Sequence, residues 1–426
     1  MKQLETKLNN GLRVITSEAP HAGSVTVSIF VGAGGRYEDL DKEYGVSHFL
    51  EHLPFKGSAK RPTAKQIAEE IDGVGGIMNA YTSEDHTCYY VKLPSEHFAL
   101  AFDVVADMVT APLFEAEQVE RERNVILEEI KMYKDDPARL VYDLVGDLLW
   151  PTDELRTNVI GTEQSISSID RGAIVDYYKS LYATNNIVIS VAGDIRHDEV
   201  VEKAKQYFDD FTAKTSRGFK PTKGDIASKI SNIVLQDTNQ THLIIAARAP
   251  ELESDDDMPV RLLAAILGGS MSSRLFLNVR EQKGLAYSVH ASSHAFADSG
   301  KIEIYAGVNR DKITQALEAI REEIDRIREE KVSQKELDRV KEQFRGRLIM
   351  SQENNATVAD TMGTQLILTG KKRTLEQVLR EIDEVTTEQI AAVAKKYLTV
   401  PSLRLAMIGN YKEADVAKFE NIVSKR

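Results

Sequence analysis

Cysteine, tryptophan and long apolar stretches are scarce in this chain of 426 residues. One cysteine, Cys88, permits no internal disulfide and is typical of a reducing compartment. No apolar run approaches the roughly 18 residues that a transmembrane helix needs, and the first residues contain no apolar signal core. We therefore expect a cytoplasmic protein. Acidic residues outnumber basic ones, 66 to 54, and the net charge of −12 argues against partners such as nucleic acid or anionic membranes.

What the chain does contain is typical of a globular protein with more than one domain. Apolar residues make up 42% of the sequence and charged residues 28%. The length is too great for one ordinary hydrophobic core and predicts two to four domains.

A helix followed by a strand recurs in the two halves at a constant distance. In the first half the pattern runs from Ile169 to Gly193, and in the second half from Val385 to Gly409, so that both pairs are separated by 216 residues. An internal duplication is the simplest account.

A polar segment lies between the two halves. Residues 212–225 are rich in Lys, Thr, Ser and Gly and predict a linker. We expect two homologous domains, 1–211 and 226–426. Helical and strand patterns in both halves predict the α+β class.

Two histidines four residues apart form the central motif, His48-Phe49-Leu50-Glu51-His52. On a helix, positions i and i+4 lie on one face, so His48 and His52 can bind the same metal ion. Glu51 lies on nearly the same face and can act as a base on a metal-bound water. The order of residues matches the HxxEH pattern. Pro54 should kink or end the helix close by. Alone, the five residues also fit a solvated helix end.

A second helix, predicted over residues 115–133, carries carboxylates where apolar residues are expected. Helical spacing places Glu122 and Glu129 in or beside the buried stripe and Glu128 on the opposite face. Buried carboxylates are rare unless they are paired or bound to metal. The stripe itself consists of Val119, Ile126, Ile130 and Tyr133.

The alternative for these carboxylates is an ion pair with Arg121 or Arg123, which this helix alone supports equally well. Together with the histidine pair, a metal site is the better interpretation.

These motifs resemble peptidase family M16, the pitrilysin family, and within it the short two-domain branch with mitochondrial processing peptidase and bacterial relatives. The resemblance covers nearly the whole chain. It rests on the stretches Leu8–Val14, His48–His52, Phe55–Gly57, Asn79–Ser83, Glu122–Glu129 and Met271–Phe276. It implies two domains, each a mainly antiparallel sheet packed with helices, which together form half of a clamshell.

The resemblance also implies roles for single residues. The third zinc ligand of the family follows the second histidine by about 76 residues, and alignment together with helical phase selects Glu129 over Glu128. Glu122 matches an acidic residue that supports the site. Arg280 and Tyr287 match residues that contact the substrate near the scissile bond. Strand 77–84, with Asn79, Ala80 and Tyr81, matches an edge strand that binds the substrate by β-augmentation.

We therefore predict a zinc metalloendopeptidase that binds one Zn²⁺ per chain and hydrolyses unfolded peptides inside a closed chamber. His48, His52 and Glu129 are the expected ligands, and Glu51 is the expected base. The chain has only two of the four domains of the long family members, so we expect a homodimer. A catalytically silent structural subunit and an enzyme that requires a paralogous partner are the alternatives.

Overall fold

The computed structural model describes residues 2–211, 214–215 and 217–425, which form two compact units. Thr212, Ala213 and Ser216 of the predicted linker lie outside the described residues. The described remainder of 212–225 contains no helix or strand. Unit 1 consists of Met1–Lys131, Asn158–Lys220 and Leu348–Thr374, and unit 2 consists of Met132–Thr157, Pro221–Arg347 and Leu375–Arg426.

Each unit is built on one mixed sheet. The strands of unit 1 are β1 (Lys2–Lys7), β2 (Arg13–Glu18), β3 (Ser24–Val31), β4 (Ile77–Thr82), β5 (Thr87–Pro94) and β6 (Ile187–Gly193), in the order β1-β2-β6-β3-β5-β4. Those of unit 2 are β7 (Ser231–Leu235), β8 (Thr241–Ala249), β9 (Ala286–Ala295), β10 (Gly300–Val308) and β11 (Arg404–Gly409), in the order β7-β11-β8-β10-β9. In both sheets one pair is parallel, β2 with β6 and β7 with β11, and the other pairs are antiparallel.

Helices pack against both sheets. They are α1 (Val46–His52), α2 (Ala64–Asp72), α3 (Phe98–Thr110), α4 (Ala116–Lys134), α5 (Pro137–Leu149), α6 (Glu163–Ser168), α7 (Arg171–Leu181), α8 (His197–Phe208), α9 (Asp257–Gly268), α10 (Ile313–Glu329), α11 (Gln334–Ser351), α12 (Asn355–Thr369), α13 (Leu375–Glu384), α14 (Thr387–Tyr397) and α15 (Val416–Ser424). Among the described residues, no helix combines the length and the apolar character that a membrane crossing requires.

The repeat expected from the sequence is present in the fold. Helix α7 leads to β6 in unit 1, and α14 leads to β11 in unit 2, at the predicted separation of 216 residues. Both strands end in a glycine with nearly the same left-handed backbone, with φ of 140° at Gly193 and 139° at Gly409. Only glycine adopts this conformation without strain, so the same backbone requirement holds at equivalent places in both halves.

The two halves exchange one helix, which the predicted division into 1–211 and 226–426 does not include. Helix α5, from the first half, packs against β8 and β11 of unit 2, whereas α12, from the second half, packs against β3 and β6 of unit 1. Val145 and Leu148 on α5 join a buried cluster with Ile244 and Ile408. The physical reason for the difference is that an apolar stripe predicts that one face of a helix is buried, but it does not predict which sheet covers that face.

Candidate metal centre

Helix α1 places both histidines on one face because its other face is apolar. Val46, Phe49 and Leu50 are fully buried in the core of unit 1. The α-helix ends at His52 and continues as a 3₁₀ turn over Leu53–Lys56, so the predicted effect of a proline at position 54 is observed.

The side chains of His48, His52 and Glu129 converge. The Nε2 atoms of the two histidines lie 3.4 Å apart, and Glu129 Oε2 lies 3.8 Å from each of them. A tetrahedral zinc with bonds of about 2.0–2.2 Å separates its ligand atoms by about 3.4 Å, so the donor set fits this ion. Within the described part of the chain, this is the one group of three or more His, Cys, Asp or Glu residues whose ligand atoms all lie within 4.8 Å of one another.

The protonation of His48 is compatible with metal binding. Burial, together with the charge of the neighbouring His52, lowers the pKa of His48 to about 3. Its imidazole is therefore neutral near pH 7, which is the form that binds metals.

Glu122 lies behind His52, on the side away from the ligand atoms. Its Oε1 is 2.9 Å from His52 Nδ1, and its Oε2 is 2.7 Å from Lys56 Nζ. Burial opposes ionisation of Glu122, but the hydrogen bonds from His52 and Lys56 prevail and lower its pKa. This contact orients the His52 ring so that Nε2 faces the other donors.

The alternative ion pairs of this carboxylate are not formed. Arg121 pairs with Glu117, and Arg123 pairs with Glu120 at 2.9 Å. Glu122 is buried, 4% exposed, as the helical phase predicts.

Neighbouring carboxylates on α4 face different surroundings. Glu128 is exposed and pairs with Lys131 at 2.7 Å, whereas Glu129 reaches the two histidines. Helical phase expected the two carboxylates on different faces, and they lie on different faces, although the Glu129 side chain is 44% exposed and only partly buried. Glu129 as the third ligand stays a prediction.

Glu51 lies beside the donor group and contacts the neighbouring strand. Thr82, the last residue of β4, forms hydrogen bonds with it. Burial raises the pKa of the Glu51 carboxyl, and the hydrogen bonds from Thr82 act in the opposite direction. The contact connects Glu51, the expected base, to the edge strand, and sequence patterns alone did not reveal it.

Strand β4 lies at one edge of its sheet. Strands β4 and β5 form a hairpin, because the Ser83 amide donates to the His86 carbonyl at 2.8 Å and closes the turn. The edge strand accordingly ends at Thr82 and not at Glu84. Asn79 is exposed, and Ala80 is buried.

The Tyr81 side chain points to the helix that comes from the other half of the sequence. Its hydroxyl donates to Asp360 Oδ1 of α12 at 2.5 Å. Asp360 was not recognised in the sequence, because no local pattern connects residues so far apart.

Arg280 and Tyr287 belong to unit 2, where they lie next to each other. Arg280 lies in a π-helical segment, Phe276–Gln282, and its Cζ is 5.7 Å from the ring centroid of Tyr287. Tyr287 is 75% exposed at the start of β9, an edge strand. A cation and a phenol are thus available together on one surface.

Comparisons with known proteins agree with these motifs. The family model described as Insulinase (Peptidase family M16) matches residues 13–163, and the one described as Peptidase M16 inactive domain matches residues 168–344. The Bacillus subtilis protein named uncharacterized zinc protease YmxG is 35% identical over 92% of this chain and 94% of its own length. A Mycobacterium leprae protein, also named an uncharacterized zinc protease, is 35% identical over 92% of this chain and 88% of its own length.

Two solved structures share the fold. A crystal structure of a protease from Helicobacter pylori has a TM-score of 0.88 at 20% identity and covers 96% of this chain and 100% of that one. A crystal structure of a peptidase M16 inactive domain from Pseudomonas fluorescens has a TM-score of 0.88 at 22% identity, over 96% of this chain and 98% of that one. The two family models cover most of the sequence, and relatives named zinc proteases match it nearly from end to end, so this chain belongs to peptidase family M16.

Proposed function

We propose that this chain is a zinc-dependent endopeptidase that hydrolyses unfolded peptides. The observation that carries the proposal is the convergence of His48 Nε2, His52 Nε2 and Glu129 Oε2 at 3.4–3.8 Å, with Glu51 one turn along the same helix. Three ligands leave a fourth position open, which is the arrangement of catalytic rather than structural zinc sites. The names of the relatives support the choice of zinc.

In the proposed reaction, zinc supplies a Lewis acid and a water of lowered pKa. Glu51 accepts a proton from the attacking water and later donates it to the leaving amine. Thr82 holds the Glu51 carboxyl beside the donor group. Glu122 keeps His52 in the tautomer that presents Nε2, because its carboxylate accepts from Nδ1–H.

The substrate is proposed to add as a further strand to β4. The outer edge of β4 has no partner strand among the described residues, so its backbone groups can pair with an extended peptide. The residues along this edge, which would contact the peptide, are Asn79, Ala80 and Tyr81. The single cysteine, Cys88, is buried and free, and we propose the cytoplasm as the place of action.

A silent structural subunit is the second candidate. The family model that matches residues 168–344 is described as an inactive domain. In the second half of the sequence, no histidine pair occurs at the place that matches His48 and His52. The first half nevertheless has a complete donor set. Metal analysis of the purified protein, with a peptide cleavage assay in the presence and absence of a chelator, separates the two functions. One zinc per chain and chelator-sensitive cleavage are expected; a metal-free, inactive protein would favour the silent subunit.

The Glu122→Gln variant is expected to bind zinc about 10–100 times more weakly than the wild type, because the amide is a poorer acceptor for His52 Nδ1–H and loses the ion pair with Lys56. Competition with a chromophoric chelator measures the affinity. Glu120→Gln is the matched control, since Glu120 lies on the same helix but is exposed and pairs with Arg123. Equal zinc affinity in Glu122→Gln and Glu120→Gln would remove Glu122 from the site.

A further prediction concerns whether the substrate must be unfolded. A peptide that adds to β4 by backbone pairing must be extended, so unfolded peptides should be cleaved and compact native proteins should survive. Mass spectrometry of digests can compare one protein in its native and in its reduced, unfolded form. Efficient digestion of the native form under conditions where short peptides persist would contradict this mode of binding.

A further inference from the structure

The two histidines of the donor set are held in different ways. His52 Nδ1 lies 2.9 Å from Glu122, whereas His48 Nδ1 is buried and has no hydrogen-bond partner in the described part of the chain. Metal-binding histidines almost always donate their second N–H to an acceptor, which fixes the ring. The orientation of His48 must therefore come from its packing and from the backbone of α1.

Helix α1 is too short to keep its helical backbone without contacts to the rest of the chain. It has seven residues, and isolated helices of this length do not persist in water. Its N-cap is Gly45, which has no side chain to accept from the first amide groups. An acceptor from elsewhere in the chain is needed.

Glu38 is that acceptor. Its Oε2 accepts from the Gly45 amide at 2.8 Å, and its Oε1 accepts from the Ser47 amide at 2.8 Å and from Ser47 Oγ at 2.5 Å. Glu38 is 2% exposed. Burial raises the pKa of Glu38 to about 8, and the hydrogen bonds from Ser47 and Gly45 act in the opposite direction. Ser47 directly precedes His48, so the carboxyl group fixes the backbone immediately before the first histidine.

Close packing restrains the same point from the other side. Gly45 has a left-handed backbone with φ of 93°, and a Cβ there would lie 2.8 Å from Ile166 Cδ1 and 3.0 Å from Gly161 Cα. The start of α1 thus packs closely between Glu38 and the segment around Gly161.

We propose that Glu38 is the positioning residue of His48, and that it sets the affinity and geometry of the metal site without contacting the metal. The inference rests on the proposed zinc site. It gives His48 an anchor through the backbone that corresponds to the anchor Glu122 gives His52 through its ring.

The test compares Glu38→Gln with Asp107→Asn. Asp107 is buried to a similar degree in the same unit, and its side chain accepts from Ser58 Oγ at 2.5 Å, from the Lys60 amide and from Arg61, all of which lie outside α1 and the donor set. We expect Glu38→Gln to weaken Zn²⁺ binding about 10–100-fold and to alter the visible spectrum of the Co²⁺-substituted protein. Asp107→Asn should leave both unchanged, even if both variants unfold at lower temperature.

Ser47→Ala keeps the backbone amide and removes the Ser47 hydroxyl, one of the three groups that donate to Glu38. It is the second test variant, for the case that Glu38→Gln does not fold. It should weaken Zn²⁺ binding severalfold, and the double variant should lose less affinity than the two single losses combined, because Glu38→Gln and Ser47→Ala act on the same group of hydrogen bonds. Wild-type affinity and an unchanged Co²⁺ spectrum in folded Glu38→Gln or Ser47→Ala would overturn the inference and leave the proposed function intact. A wild-type protein that binds no Zn²⁺ would overturn both.

Discussion

Replacement of Glu51 by glutamine should leave a protein that binds zinc as tightly as the wild type and turns over about 100–10,000 times more slowly. The reason is that Glu51 is proposed as a base and not as a ligand. Its carboxyl group hydrogen bonds with Thr82, while the three donor atoms come from His48, His52 and Glu129. An amide has nearly the same shape but cannot take up the proton.

The variants of the three expected ligands should differ from Glu51→Gln in zinc content. His48→Ala, His52→Ala and Glu129→Gln should each lose zinc first and activity as a consequence. Zinc content, measured on the same preparations as kcat, separates these variants from Glu51→Gln.

Glu128 supplies the matched control for the third ligand. It neighbours Glu129 on α4, but it is exposed and pairs with Lys131. Glu128→Gln should therefore be close to the wild type in zinc content and in kcat. Loss of zinc in Glu128→Gln with retention in Glu129→Gln would show that the third ligand is wrongly assigned.

Helical periodicity carried most of the prediction for this site. The stripe on α4 placed Glu122 inside and Glu128 outside, and the structure has Glu122 buried against His52 and Glu128 exposed. Such an argument succeeds because a helix has a fixed angle per residue and burial acts on one face. The spacing of His48 and His52 is informative for the same reason.

Contacts between distant segments could not be predicted in this way. Lys56 pairs with Glu122, Thr82 contacts Glu51, and Asp360 accepts from Tyr81 across 279 positions. Each pair depends on how elements pack, and periodicity within one element contains no information about its neighbour. The exchange of α5 and α12 was missed for that reason too.

Arg280 and Tyr287 raise the question of which chain completes each active site. The family resemblance implies that in the long members the matching residues lie in the half opposite the zinc site, and that the two domains of this chain correspond to one such half. We propose a homodimer with two-fold symmetry, the commonest closed assembly, in which each zinc site works with Arg280 and Tyr287 of the other copy. The alternative is a monomer that completes its own site.

Mixing two inactive variants distinguishes these arrangements. Glu51→Gln and Arg280→Ala should each be nearly inactive alone. In a mixed dimer, one site combines the intact zinc centre of the second variant with the intact Arg280 of the first, so that it is complete. If equal amounts associate at random, half of the dimers are mixed, and we expect about a quarter of the wild-type activity.

The control pairs Glu51→Gln with His52→Ala. Both changes lie in the zinc centre, so no mixed dimer has a complete site, and any recovery there would reflect stabilisation of one subunit by the other. The separation of differently tagged chains by affinity chromatography confirms that mixed dimers form. A monodisperse monomer with full activity would refute the shared site. Mixed Glu51→Gln/Arg280→Ala dimers that stay inactive would refute it too. Either result would mean that Arg280 acts within its own chain or not at all.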